Sequence, residues 1–410
     1  MNRSANFPIG PSQADLEVGA PVSGRIPAAL TKDFRPQTLG SVKVLIAPDK
    51  FKGTLTARHA ADAIARGWRQ ARPGDQLTLL PISDGGDGFG LVLGELLRAQ
   101  PQQIRTINAA HRPIRATWWW QPQTRTAVIE SANIIGLAML PAGKFHPFQL
   151  DTFGLGAVIQ AAQKKGARRI ILGIGGSATN DGGFGLARAL GWKFLNRDGE
   201  EISAWPALTE LQTIQPPRKR LPQSLLTVAV DVKNSLLGPS GATRIYGPQK
   251  GIRPQDVLLA ERCLRRLAHV MKRQFGSDFA KTPGAGAAGG LGFGLATFAN
   301  ARLVSGFDLF ARQAGLNRML ARVDLIITAE GSLDVSTLMG KGAGQIALLG
   351  RKKKIPVLGL AGMVREQPAL RKIFVATHAL VELTTPENAR KRAGFWLEQL
   401  ALRIATNMQA

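Results

Sequence analysis

Short apolar runs alternate with segments of helical period at both ends of this chain, and that alternation restricts the fold more than any other feature. The run at 43–47, Lys-Val-Leu-Ile-Ala, reads as a buried strand. Residues 57–72 follow with Ala60, Ile64, Gly67 and Trp68 on one helical face. A second strand is expected at 77–82, closed by a Ser-Asp-Gly-Gly turn, and a second helix at 88–99. Towards the C-terminus the order returns. Helices are expected at 289–301, 308–318 and 342–351, and strands at 323–328, 356–360 and 379–382. The last helix opens with Thr385 as N-cap and Pro386 at its first position. Such an order builds a parallel sheet with helices on its faces.

The middle of the chain is less regular, with strands expected at 127–130, 169–174 and 226–230 and helices at 154–165 and 255–274. The fold expected is α/β: two α/β domains, one Rossmann-like with a mostly parallel sheet, the second inserted into it. A length of 410 residues suits two domains. The division expected is a flexible N-terminal extension over 1–40, a discontinuous Rossmann-like domain over 41–105 and 285–410, and an inserted domain over 106–284. The extension is rich in Pro, Gly, Ser and Ala, and Asp15 and Glu17 argue against a transit peptide.

The net charge of +25, from 53 basic against 28 acidic residues, raises the question of a polyanionic partner. The basic residues are scattered, however, and the densest runs, 351–354 and 218–220, come with no RNA-binding signature. Solvated faces and attraction for anionic substrates account for the charge, with no specific nucleic acid. No apolar stretch approaches the roughly 20 residues of a membrane span. No signal pattern opens the chain, so a cytoplasmic protein away from the membrane is expected. The one cysteine, Cys263, excludes an intrachain disulfide and sits in an apolar helical pattern. The five histidines show no metal-binding spacing.

Asp84, Asp181, Asp231 and Asp334 each stand at or just beyond the end of an expected strand, where open α/β sheets bind ligands. Asp-Gly is also a common turn. Four such aspartates favour a shared acidic site, and phosphoryl transfer requires one: carboxylates for Mg²⁺ and a group to orient the attacking hydroxyl. The loop at 173–183 carries Gly175, Gly176, Ser177 and Thr179, whose N–H and hydroxyl groups can wrap an anion. Its start also fits a dinucleotide fingerprint, although Asn180-Asp-Gly-Gly intervenes before any helix. A nicotinamide-dependent hydroxyacid dehydrogenase is therefore a rival reading, and a basic nucleic-acid-binding module a third. The loop at 283–290 holds Gly284, Gly286, Gly289 and Gly290 and leads into a helix, which suits either phosphate binding or close backbone packing. Neither loop is a Walker A motif. Lys52, Arg244, Lys250 and Lys341 stand in or beside glycine-containing loops and are candidates to hold a carboxylate or phosphate. The Trp118–Trp120 run reads as a packed strand edge or a domain contact.

Segments 46–53, 83–88, 173–183, 231–234, 241–251 and 283–292, with Glu330, Gly331, Asp334, Gly340 and Lys341, together resemble the type I glycerate kinases. The resemblance runs from residue 43 to about 400. It implies ATP and Mg²⁺ as cosubstrates, D-glycerate as phosphoryl acceptor, usually with a 2-phosphate product, and an active site between two α/β domains. Lys50, Lys233, Ser235, Ala329 and Ser332 depart from the family's usual residues. The roles expected are nucleotide phosphates on the two glycine loops, and Mg²⁺ or the substrate hydroxyl on Asp84 and Asp181. Asp231, then Asp334, would orient the attacking hydroxyl. Lys52, Arg244, Lys250 and Asn234 would bind substrate, and Lys341 would meet transition-state charge. A homodimer is compatible with the sequence.

Overall fold

The computed structural model describes residues 41–338, 342–365 and 368–408; the expected extension and Lys341 lie outside the described residues. Five strands form one wholly parallel sheet: β1 (Lys43–Ile46), β2 (Gln76–Leu79), β11 (Leu325–Leu333), β12 (Val357–Val364) and β13 (Ala376–Ala379). Their spatial order is β13-β12-β11-β1-β2. This is the 2-1-3-4-5 order of doubly wound sheets, in which the chain reverses direction of growth between β1 and β11. Val44, Leu45 and Ile46 have no exposed surface, as a strand covered on both faces requires.

The second sheet has the order β10-β9-β6-β5-β4-β3. Its strands are β3 (Gln100–Ile107), β4 (Pro113–Gln121), β5 (Thr126–Glu130), β6 (Arg169–Gly173), β9 (Leu226–Val230) and β10 (Arg302–Ser305). β5, β6, β9 and β10 are parallel, while β3 and β4 pair antiparallel at one edge. A small antiparallel ribbon joins β7 (Lys193–Leu195) to β8 (Thr213–Gln215).

The strands of the second sheet come from Gln100 to Ser305 of the chain. The β3 sequence, Gln-Pro-Gln-Gln-Ile-Arg-Thr-Ile, alternates weakly and lies on an exposed edge, so no apolar run announces it. At the far end, helix α6 (Ala287–Phe298) places Leu291 and Leu295 in the core of the second sheet, beside Ile170, Leu172 and Val228.

Helix α1 (Ala57–Ala71) starts where Thr56 Oγ1 accepts from the His59 N–H, 3.1 Å away. It packs on the C-terminal helix α9 (Ala393–Asn407) so closely that a Cβ on Gly67 would fall 2.0 Å from the Glu398 carbonyl oxygen. Thr385 caps only a short helix, Pro386–Lys391. The chain then breaks at Arg392, whose φ is −128°, and α9 carries the buried Leu397, Leu400 and Ile404.

The chain crosses between the sheets twice. After β2 the segment 80–88 leaves the first sheet, and α2 (Phe89–Leu96) lies on the second, where Phe89 and Leu93 pack with Trp119, Val128 and Ile171. Gly90 and Gly94 accept the Trp119 indole, since a Cβ at either would lie 2.0 or 2.6 Å from its ring atoms. The tryptophan run is thus a packed strand. The chain returns through α7 (Gly306–Gln313), whose Phe307 and Phe310 join the first sheet's core while Leu309 faces Phe89.

Candidate active site

The strands of both sheets end around a cleft of about 1100 Å³. Lys50 and Lys52 reach it from the end of β1, Asp84–Asp87 from the crossing segment, and Gly175–Ser177 from the end of β6. Asp231 comes from the end of β9, and Tyr246 and Lys250 from the segment after it. Leu137, Leu140, Pro141 and Phe145 make an apolar wall. Of the residues singled out in the sequence, the cleft therefore gathers Asp84, Asp231, Lys52, Lys250, Gly175, Gly176 and Ser177.

Glycine backbones bring the crossing segment onto the second sheet. The Gly175 N–H donates to the Gly85 carbonyl at 3.1 Å, and a Cβ on Gly175 would stand 2.5 Å from the Gly86 Cα. Side chains at this seam would hold Asp84 away from Asp231.

The acidic end of the cleft is crowded. Asp231 accepts hydrogen bonds from the N–H groups of Phe307 and Gly306 at the start of α7, yet burial, and then the charge of Asp84, push its pKa up to about 8. Asp49, 8% exposed at the end of β1, is pushed up to about 7 by burial and then by Asp84, against the pull of Lys50. Asp49 was not singled out as a site residue, although it stands beyond a strand end like the four aspartates that were. Glu330, across the switch point on β11, also raises Asp49 and accepts the Thr337 hydroxyl at 2.6 Å. Lys50 Nζ donates to the Asp87 carbonyl at 2.7 Å.

Lys250 lines the same cleft and is 7% exposed. Its Nζ donates to Ser177 Oγ at 3.0 Å and to the Thr179 carbonyl at 2.7 Å. Burial lowers its pKa to about 7, and the charge of Asp181 works the other way.

Other expected site residues lie outside the cleft. Asp181 is completely buried, and its carboxylate accepts from the N–H and hydroxyl of Thr152 and from the N–H groups of Gly183 and Gly185. It fixes the start of the helix α4 (Phe184–Ala189) and does not line the cleft. Burial and then Asp151 raise its pKa to about 6, against those donors. Thr179 is buried, and among the described residues its hydroxyl has no partner. Asp334 accepts from the N–H and hydroxyl of Ser336 and from the Ser332 hydroxyl, capping the short helix Val335–Leu338. Asn234 accepts the Tyr246 hydroxyl and donates to the Ser240 carbonyl, bracing its own loop. Arg244 is exposed and does not line the cleft.

The glycines of the 283–290 loop are pressed against neighbouring chain. A Cβ on Gly286 would lie 2.2 Å from the Ser235 carbonyl oxygen, and one on Gly289 2.0 Å from that of Thr179. Gly284 abuts Val230, and Gly290 abuts Leu236 and Gly182. Of this region only Ala287 and Ala288 line the cleft. Nor does the 173–178 stretch open directly into a helix, since α4 begins at Phe184. A dinucleotide fingerprint would set its phosphate on that helix N-terminus.

A doubly wound parallel sheet facing a mixed sheet, with glycine loops, lysines and carboxylates converging at the strand ends, is the architecture of an α/β enzyme that handles anionic ligands. The chain belongs to the glycerate kinase family, whose profile matches residues 44–409. It is 37% identical to a glycerate kinase of Bacillus subtilis (strain 168) over 374 residues, 90% of this chain and 98% of that one. It is 36% identical to a glycerate 2-kinase of Escherichia coli (strain K12), over 79% of this chain and 86% of that one. A crystal structure from Salmonella typhimurium LT2, described as a candidate glycerate kinase 2, superposes with a TM-score of 0.78 at 32% identity, covering 90% of this chain and 99% of that chain. The chain is an ATP-dependent kinase. These relatives lend no support to the dehydrogenase or nucleic-acid readings. No helix among the described residues is long and apolar enough to cross a membrane.

Proposed function

We propose that this protein transfers the γ-phosphoryl group of ATP to a hydroxyl of D-glycerate, with 2-phosphoglycerate the favoured product. The observation that carries the reading is the meeting of Asp84 and Asp231 with Lys50, Lys52 and the Gly175–Ser177 loop in one cleft between two sheets. Phosphoryl transfer is mostly positioning and charge neutralisation, and these residues supply both.

Asp84 and Asp231 are the proposed Mg²⁺ ligands, with Asp49 beside them. Among the described residues no three ligand side chains stand close enough to hold a bare ion. That suits a cation that keeps its waters and shares nucleotide phosphates. The mutual repulsion among these carboxylates is what a divalent cation relieves. When bound, the ion would screen the charge of the transferring phosphoryl group. Asp231 would orient the attacking hydroxyl, and Lys50 and Lys52 would face the polyphosphate from the β1 side. The two sheets with their helices would act as two domains closing over the cleft and excluding water. A cytoplasmic location fits the need for ATP, and a homodimer is compatible with the reading.

An ADP-release assay with D-glycerate, followed by ³¹P NMR of the product, tests this function. Asp231→Asn should lower kcat by roughly 10²–10⁴-fold, the range of a lost general base. Wild-type kcat in that variant would remove Asp231 from its role, and absence of glycerate-dependent ADP release in the wild type would overturn the function itself.

A further inference from the structure

Beyond the seam with Gly85 and Gly86, where the Asp87 carboxylate stands against Gly176, the cleft wall offers a second set of donors. Lysine has three donors. Lys250 commits two, to Ser177 Oγ and to the Thr179 carbonyl, and its ammonium, more than nine-tenths buried, lines the cleft. The Ser177 hydroxyl accepts from Lys250 and so keeps its own hydrogen for another acceptor. Gly176, at φ +74°, turns the backbone just before it. The turn at Gly175–Gly176 closes just before Ser177, and among the described residues the Gly176 N–H has no backbone partner. The flanking groups do: Leu137 donates to the Gly176 carbonyl and Ala178 to that of Ile135, which clamps the turn in place. A backbone donor, a hydroxyl and one ammonium N–H thus stand at a rigid turn. Such a concave set binds an anion.

We infer that Gly176, Ser177 and Lys250 form the seat for the carboxylate of the hydroxy-acid substrate. The inference deepens the proposed function and rests on it. Charge selects the carboxylate over the nucleotide's phosphates. The seat brings a single cationic side chain, Lys250, whose ammonium donates only to the neutral Ser177 hydroxyl and Thr179 carbonyl, and this suits a single negative charge. A polyphosphate of several charges needs more cations, and Lys50 and Lys52 stand at the end of β1 beside the carboxylates where a metal can join it. Arg253, the other basic residue near Lys250 on the cleft lining, is already paired with Asp256 at 2.8 Å. A buried ammonium without an anion in contact is unfavourable, and a substrate carboxylate supplies the missing partner. The seat would then hold one end of the substrate while its hydroxyl points towards Asp231.

The test uses the full-length enzyme and two substrates, D-glycerate and its uncharged amide. Lys250→Met should lower kcat/KM for glycerate by about 100-fold, as removal of a buried charge partner does. It should leave KM for ATP within about twofold of wild type and collapse the preference for glycerate over the amide. Ser177→Ala keeps the charge and should raise KM for glycerate by about 5–10-fold, the effect of one lost hydrogen bond. Circular dichroism reports whether Lys250→Met folds; if it does not, Ser177→Ala and Lys250→Arg decide the matter with the same readouts. A rise in KM for ATP with KM for glycerate unchanged would assign the seat to phosphate and overturn the inference. A wild-type enzyme inert towards glycerate would instead strike the proposed function. In that case calorimetric titration with D-glycerate alone still decides the seat, because binding must be present in wild type and about 5–10-fold weaker in Ser177→Ala.

Discussion

Single aspartates with nearly the same sequence surroundings have opposite fates in this fold. Asp84 and Asp181 both precede a glycine pair, yet Asp84 lines the cleft while Asp181 is sealed behind it as an anchor for Thr152, Gly183 and Gly185. Local sequence marks a turn but not which side of the sheet's end it faces. That is why the acidic site was legible as a class and its members were only partly so. Asp49 needed no further signal than its position after β1. The buried acids also set a pH dependence. Asp181, Asp49 and Asp231 hold pKa values of about 6, 7 and 8 in the folded protein, above the ordinary 3.8. The folded state therefore keeps protons that the unfolded chain has released. The stability these groups contribute is whole below about pH 4 and is lost as pH rises through 6 to 8. Lys250, lowered to about 7 from 10.5, has the opposite sign and adds stability as pH rises above 7. The melting temperature of the ligand-free protein should fall between about pH 5 and 8, and Asp231→Asn should flatten the upper part of that fall. Melting curves across this range, at constant ionic strength, check both points.

Among elements, what the sequence disclosed depended on burial. β1, β6 and β9 are continuous apolar runs because both faces are covered, and they stand within a residue or two of where the periodicity puts them. β3 has one face in water and a polar sequence, and it was missed. The 283–290 loop shows the limit of a motif. Its glycines fit a phosphate-binding pattern, but their spacing answers to the backbones of Ser235, Thr179 and Gly182 pressed against them. Gly289→Ala should accordingly act on stability before it acts on any ligand. Its Cβ would stand 2.0 Å from the Thr179 carbonyl oxygen, at a φ of +69°. A loss of about 3 kcal/mol is expected from overpacking and left-handed strain together. Chemical denaturation, with ATP affinity of the remaining folded protein measured in parallel, separates the two effects. A stable variant with weakened ATP binding would return this loop to the nucleotide.

For the whole molecule, the alternation of strands and helices disclosed a parallel sheet whose strands come from both ends of the chain. It did not disclose where the chain changes sheets, because the crossings at 80–88 and at α7 are loop and helix that belong to both cores. If the two sheets close on the substrates, small-angle scattering should give a smaller radius of gyration with Mg·ADP and glycerate together than with either alone. An unchanged radius would mean a cleft already in its working shape. The net charge of +25 is left over from the fold, and the cleft lining uses little of it.

The contact of Gly175 on Gly86 makes the joint between the two layers as thin as a polypeptide can be, main chain on main chain with no side chain between. A joint of that kind transmits displacement without cushioning. One methyl group wedged there would separate the acids on either side by about its own width, leaving each layer intact and the chemistry without its alignment. A reaction centre at the proposed acids would thus be guarded by glycines whose contribution is the absence of bulk.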